Sequence, residues 1–231
     1  VSMKQNRLYL FIRKYRYLCG IGYTIFYLLW FRFLEQTVSV RSGYHIIHCS
    51  LDDLIPFAPG FVIPYLLWFL YIPGVLFLLS RRDADETTQL GIFLAAGMSI
   101  CLLICTLYHN GTNFRVSADP ADGLCQALVW IIQRADTPTN VFPSIHVYNS
   151  MGVNAAVWHS RYFAAHPLLR RLSSLLTLSI CCSTVFLKQH SLIDVAGALV
   201  LSYFIAQAVY GDIPIPSLSD AAAKEDLKHA A

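Results

Sequence analysis

Apolar residues fall along this chain in long unbroken runs and not at the spacing of one helix face or one strand face. Six runs come close to the roughly 20 residues a helix needs to cross a bilayer core about 30 Å thick. They are Tyr17 to Phe33, Phe61 to Ser80, Leu90 to Tyr108, Ile145 to Phe163, Leu168 to Leu187 and Leu192 to Tyr210. Backbone amides and carbonyls find no water inside lipid, so such runs are expected to be helices, and the fold class is an all-α integral membrane bundle of six transmembrane helices. The fourth run is the least apolar, carrying Asn149, Asn154 and His159, as suits a helix whose polar groups face other helices. Pro64 and Pro73 are expected to kink the second helix or cap its turns. Met3 to Arg16 mixes Lys4, Arg7, Arg13, Lys14 and Arg16 with Leu8, Tyr9, Leu10, Phe11 and Ile12, the pattern of an interfacial helix. It lacks a small-residue cleavage site after an apolar core, so the first span is expected to be retained. After Asp212 the chain turns to Pro, Ser, Ala and charged residues, a flexible tail. The organisation predicted is an interfacial segment 1–16, a membrane domain 17–210 and a flexible tail 211–231.

Composition supports this reading and narrows the function. Of 231 residues 56% are hydrophobic and only 13% charged, against about 25% charged in soluble domains. A soluble enzyme is excluded. The net charge of +3 comes without a basic run, which argues against a nucleic-acid partner. With six spans both termini share one side with the loops after spans two and four. That side collects Lys4, Arg7, Arg13, Lys14, Arg16, Arg81, Arg82, Arg161, Arg170, Arg171, Lys224 and Lys228, which assigns it to the cytoplasm. The outer side holds the loops Leu34 to Gly60 and His109 to Pro143 and the turn Lys188 to Ser191, and loops that long are commonly functional. The seven cysteines form no CxxC pair and most read as small buried apolar residues. Cys49 and Cys125 both fall in outer loops, where an oxidising compartment would permit a disulfide.

Three groups of reactive residues converge on the outer side. Ser144, after Pro143, is placed to cap the fourth helix, leaving the amides of Ile145 and His146 open at the positive end of the dipole. That makes an anion site, with His146 as a proton donor; an ordinary cap beside an interfacial histidine would look the same. His190 and Asp194 are four apart, so Asp194 lies one helical turn along the same face and can hold one nitrogen of His190. The other nitrogen is then free to act as a nucleophile. A carboxylate inside an apolar span is costly without a use. Arg115 can fork two phosphate oxygens or touch lipid headgroups, and Lys188 can bind a phosphate or snorkel to the interface. His45, His48, Asp52 and Asp53 resemble a metal cluster in composition only, since no HxxxH spacing is present; no metal is expected.

In chain order Arg115, Pro143-Ser144-Ile145-His146, and Ser183 with His190 and Asp194 resemble the three motifs of the type 2 phosphatidic acid phosphatase superfamily of lipid phosphate phosphatases, K-x6-R-P, P-S-G-H and S-R-x5-H-x3-D. The resemblance covers roughly residues 61–210 and implies six helices with all three motifs on one face. Departures are plain: Tyr108 stands for Lys, Val116 for Pro, Ile145 for Gly and Thr184 for Arg. Two phosphate-clamping cations are therefore missing unless Lys188 or Arg134 stands in. The resemblance implies that His190 attacks phosphorus to form a phosphohistidine, Asp194 holds its ring, and His146 protonates the departing oxygen. Arg115, Ser144, Ser183 and Lys188 would bind phosphate oxygens, with no metal or cofactor. Two working histidines imply a bell-shaped pH profile. The expected partner is a lipid phosphate or diphosphate, hydrolysed at the outer face of a plasma or cytoplasmic membrane. Relatives such as the inositol phosphorylceramide synthase branch move a phospho-headgroup to a lipid hydroxyl, which is the alternative. A non-catalytic membrane protein retaining the fold is the third.

Overall fold

The computed structural model describes residues 6–38 and 43–211. The expected tail, apart from Gly211, and Lys4, Lys224 and Lys228 lie outside them. Among the described residues ten α-helices follow in order: α1 Arg7–Lys14, α2 Arg16–Thr37, α3 Ser50–Leu54, α4 Val62–Ser80, α5 Ala84–Leu107, α6 Leu124–Ala135, α7 Ile145–His159, α8 Arg161–Ala164, α9 Pro167–Phe186 and α10 Leu192–Tyr210. The fold is mostly helical, as the apolar runs require. Five helices are long and apolar enough to cross a membrane: α2, α4 with the turn before it, α5, α9 and α10. Their outward faces carry large exposed apolar residues, among them Leu29, Phe33, Leu70, Phe77, Leu178 and Phe204.

The fourth apolar run departs from expectation. The sequence predicts one helix from Ile145 to Phe163; instead α7 stops at His159 and α8 starts at Arg161. Ser160 causes the break, since its backbone is extended and its Oγ accepts from the Phe163 amide at 3.4 Å, capping α8. The 15-residue α7 is the centre of the molecule, touching α4, α5, α9 and α10. That position accounts for its polarity. Asn149 and Ser150 are buried, and Asn154 Oδ1 accepts from Ser173 Oγ at 3.0 Å and Ser174 Oγ at 3.1 Å. Two glycines permit the crossing with α5. A Cβ on Gly97 would collide with the Tyr148 ring, and one on Gly152 with the Phe93 ring, so the two aromatic rings stack 4.8 Å apart across the helices.

Other boundaries shift for identifiable reasons. The third span starts at Ala84, not Leu90, because Asp83 accepts from the amides of Asp85 and Glu86 at 2.7 and 3.1 Å and these acids suit the first turn. Pro64 sits in the first turn of α4, where it is tolerated, and Pro73 lies inside the helix. The described parts of the long connecting segments contain further elements. The amphipathic α6 packs Val129 against Val62, Tyr65 and Leu187. A two-residue parallel pair, β1 (His45–Ile46) with β2 (Asn110–Gly111), ties the segment between α2 and α3 to the exit of α5.

Contacts define the two ends of the bundle. At one, Tyr9 Oη and Arg13 Nε reach Asp85 at 3.0 and 2.7 Å, the Arg161 amide donates to Glu86 at 2.9 Å, and Gln89 donates to Val209 O at 3.2 Å. At the other lie α3, α6, the strand pair and the N-termini of α7 and α10.

Candidate active site

At that second end the caps of α7 and α10 are joined. Ser144 caps α7, accepting from the Val147 amide at 3.5 Å, so the Ile145 and His146 amides remain the open donors of the first turn. The Ser144 amide itself donates to the backbone carbonyl of Asp194 at 3.3 Å. Ser191 caps α10 through a capping box: its Oγ accepts from the Ile193 amide at 3.1 Å, and its amide donates to Asp194 Oδ2 at 2.9 Å. The same oxygen takes a bond from His190 Nδ1 at 3.3 Å. Asp194 is fully buried. The Nδ1–H that it orients leaves His190 Nε2 with its lone pair free.

The two histidines supplied by separate helix ends meet. The rings of His146 and His190 have centroids 5.8 Å apart and planes inclined at 59°. Tyr65 and Trp68 of α4 wall His146 on its other sides, each centroid 4.5 Å away. His146 Nδ1 and, one turn along α7, Asn149 Oδ1 are buried without a hydrogen-bond partner. Paired imidazoles with one nitrogen held and another free have the makings of a nucleophile and a proton donor.

The expected anion-binding groups are placed less uniformly. Arg115 is largely buried, but both terminal nitrogens are taken up by Asp136, one by its carbonyl at 2.7 Å and one by its carboxylate at 3.0 Å; only Nε lacks a partner. Lys188 follows α9 in the left-handed region, at φ 57°. Its buried ammonium donates to the Asp52 carbonyl and lies 6.0 Å from the Phe114 ring. Ser183 is buried and turns its hydroxyl back to the Ile180 carbonyl at 2.7 Å. At the positions where the resemblance lacks a cation, Tyr108 stacks on His45 with centroids 4.3 Å apart. The Thr184 carbonyl accepts from the amides of both Gln189 and His190 at 3.0 Å. Arg134 lies over Trp130 on α6.

Several residues at this end carry structure that the sequence reading did not assign. Asp52 belongs to no cluster with His45 and His48: His48 pairs with the exposed Asp53 at 2.9 Å, whereas Asp52 is buried against the α9–α10 turn, accepting from Ser191 Oγ at 2.6 Å and the Leu192 amide at 2.9 Å. Burial pushes its carboxyl up, but the bonds from Ser191, Leu192 and Cys49 outweigh that and hold it below its ordinary value of 3.8. The Asp136 carboxyl is raised instead, because burial outweighs the attraction of Arg115. Asn110 is buried and accepts from the Val141 and Phe142 amides at 2.9 and 2.8 Å, fixing the approach to Pro143 and Ser144. Glu35 accepts from Thr137 at 2.6 Å and Asn140 at 2.7 Å, tying α2 to the same loop. Asp52 lies 139 residues from Ser191 in the chain, and no local pattern signals a bond of that range. All seven cysteines are free, Cys49 and Cys125 included. No known protein family, curated protein or solved structure matches this chain.

Proposed function

We propose that this protein is an integral-membrane lipid phosphatase of the type 2 phosphatidic acid phosphatase kind, hydrolysing a lipid phosphate monoester or diphosphate through a phosphohistidine. The observation that carries the reading is the 5.8 Å approach of the His146 and His190 rings, with Asp194 against one nitrogen of the second. Two rings this close can both address one phosphate group, His190 at phosphorus and His146 at the departing oxygen. His190 Nε2 forms the N–P bond while the P–O bond to the lipid breaks, and His146 gives its proton to the departing lipid oxygen. Water then attacks phosphorus, His146 takes its proton, the N–P bond breaks and phosphate leaves. The open amides of α7 and Arg115 Nε stabilise the equatorial oxygens, and full engagement of Arg115 requires that phosphate displace Asp136. Lys188 lies beside the turn that carries His190 and adds positive charge.

α7 completes a set of six membrane helices in this reading, with α1 at the interface. The termini are cytoplasmic, because Arg7, Arg13, Lys14, Arg16, Arg81, Arg82, Arg161, Arg170 and Arg171 gather at the end away from His190. The site then faces the outer leaflet of a plasma or cytoplasmic membrane.

One observation favours a second reading. Tyr108 and Thr184 supply no charge and Arg115 is neutralised by Asp136, so the site is poor in cations for a doubly charged monoester. A phosphodiester carries one charge fewer, and its headgroup phosphate would pass through His190 to a lipid hydroxyl. The test is an assay of purified protein with phosphatidic acid or a phosphodiester lipid, with and without a lipid alcohol. Inorganic phosphate supports hydrolysis and a new phospholipid supports transfer, each lost in His190→Ala. Equal turnover by wild type and His190→Ala contradicts both and leaves a non-catalytic membrane protein.

A further inference from the structure

His190 stands immediately before α10, and its geometry depends on how the α9–α10 turn is held. In front, its amide and that of Gln189 share the Thr184 carbonyl. Behind, the turn is clamped from outside by α3, far away in sequence. Asp52 Oδ2 accepts from Ser191 Oγ at 2.6 Å and from the Cys49 amide at 2.8 Å, Oδ1 accepts from the Leu192 amide at 2.9 Å, and the Asp52 carbonyl accepts from Lys188 Nζ. Residues 188, 191 and 192 are thus all bound to one residue, which has 1% exposure.

We propose that Asp52 is a positioning residue for His190, acting through Ser191. This rests on the reading of His190 as the nucleophile. With its proton directed to Asp52, the Ser191 hydroxyl presents lone pairs to the Ile193 amide. That pins the first turn of α10, and with it Asp194 Oδ2, which receives both the Ser191 amide and His190 Nδ1. The His190 bond, at 3.3 Å, is the longest of the set and has the least margin for displacement. Loss of the carboxylate strands the Leu192 amide, releases the Ser191 hydroxyl and loosens the oxygen that selects the His190 tautomer. A misplacement of the order of 1 Å at a nucleophile costs roughly 100-fold in rate.

The test uses Asp52→Asn, close in shape to the native side chain but presenting an amide NH2 towards donors, and Ser191→Ala, which removes one bond of the clamp. Two quantities are read on purified protein in detergent: kcat and KM for phosphatidic acid, and the 15N spectrum of the histidine side chains, with His190 assigned by its absence in His190→Gln. Both variants are expected to lower kcat at least tenfold while KM changes less than about twofold. The His190 signal is expected to move from a single Nδ1–H form to a tautomer mixture, as in Asp194→Asn. A wild-type His190 spectrum in both variants overturns the proposal. Should Asp52→Asn fail to fold, as judged by thermal melting, Ser191→Ala decides by the same spectrum. If wild type itself turns over no lipid phosphate, the reading of His190 as nucleophile fails, while the spectra still decide whether Asp52 sets its tautomer.

Discussion

Asp194 accepts two bonds on one oxygen, from the Ser191 amide and from His190 Nδ1, and its other oxygen is buried without a partner. The carboxylate thereby caps α10 and fixes a ring at once. Asp194→Asn keeps the size but presents a donor to His190 in one of its two orientations, so kcat is expected to fall by roughly 10²–10⁴-fold in the phosphate-release assay, with little change in KM. The carboxylates of Asp52 and Asp136 add a dependence of stability on pH, and they act with opposite signs. Asp52 is held below its ordinary value, so its contribution is present above pH 3.8 and disappears as pH falls through the lowered value. Asp136 is raised, so it lowers stability as pH rises from 3.8 through its raised value. Melting temperatures measured against pH should show Asp52→Asn below wild type at neutral pH, with the gap narrowing under acid. A gap that stays constant down to pH 3 would contradict this assignment.

Among the elements, α7 decides the architecture. It is the shortest helix of the central bundle and touches each of α4, α5, α9 and α10, which explains how a segment with Asn149, Ser150 and Asn154 can be its core: these groups meet other helices. Its spacing from α5 is set by the two glycines and the stacked Phe93 and Tyr148. Gly152→Val places two methyls against the Phe93 ring, and overpacking of this kind costs about 1–3 kcal/mol. A melting temperature several degrees lower is expected, and an unchanged one would show that α5 and α7 can separate freely. The apolar runs foretold the long helices to within a few residues. They could not foretell the break at Ser160, the polar first turn of α5 or the amphipathic α6, because each depends on a local cap or on burial against a helix distant in sequence.

For the whole molecule, the separation of the two ends was legible from the alternation of runs and charged loops. Basic residues gather at the end where α1, α5 and α8 meet, and His146, His190 and Asp194 lie at the other. The pairing of His190 with Asp194 followed from their four-residue spacing and the cap at Ser144 from its neighbour Pro143. What the spacing could not reveal was the company these groups keep. Asp136 on Arg115, Asp52 on Ser191 and the Tyr65 and Trp68 walls around His146 all come from parts of the chain brought together only by folding. The proposed reaction requires His190 to become covalently bound to phosphorus. Wild-type protein mixed with phosphatidic acid carrying 32P and quenched in alkali within milliseconds is expected to retain label on the chain, released by acid as a phosphohistidine requires and absent from His190→Gln. Label that persists in His190→Gln, or none in wild type while phosphate is being released, would contradict it.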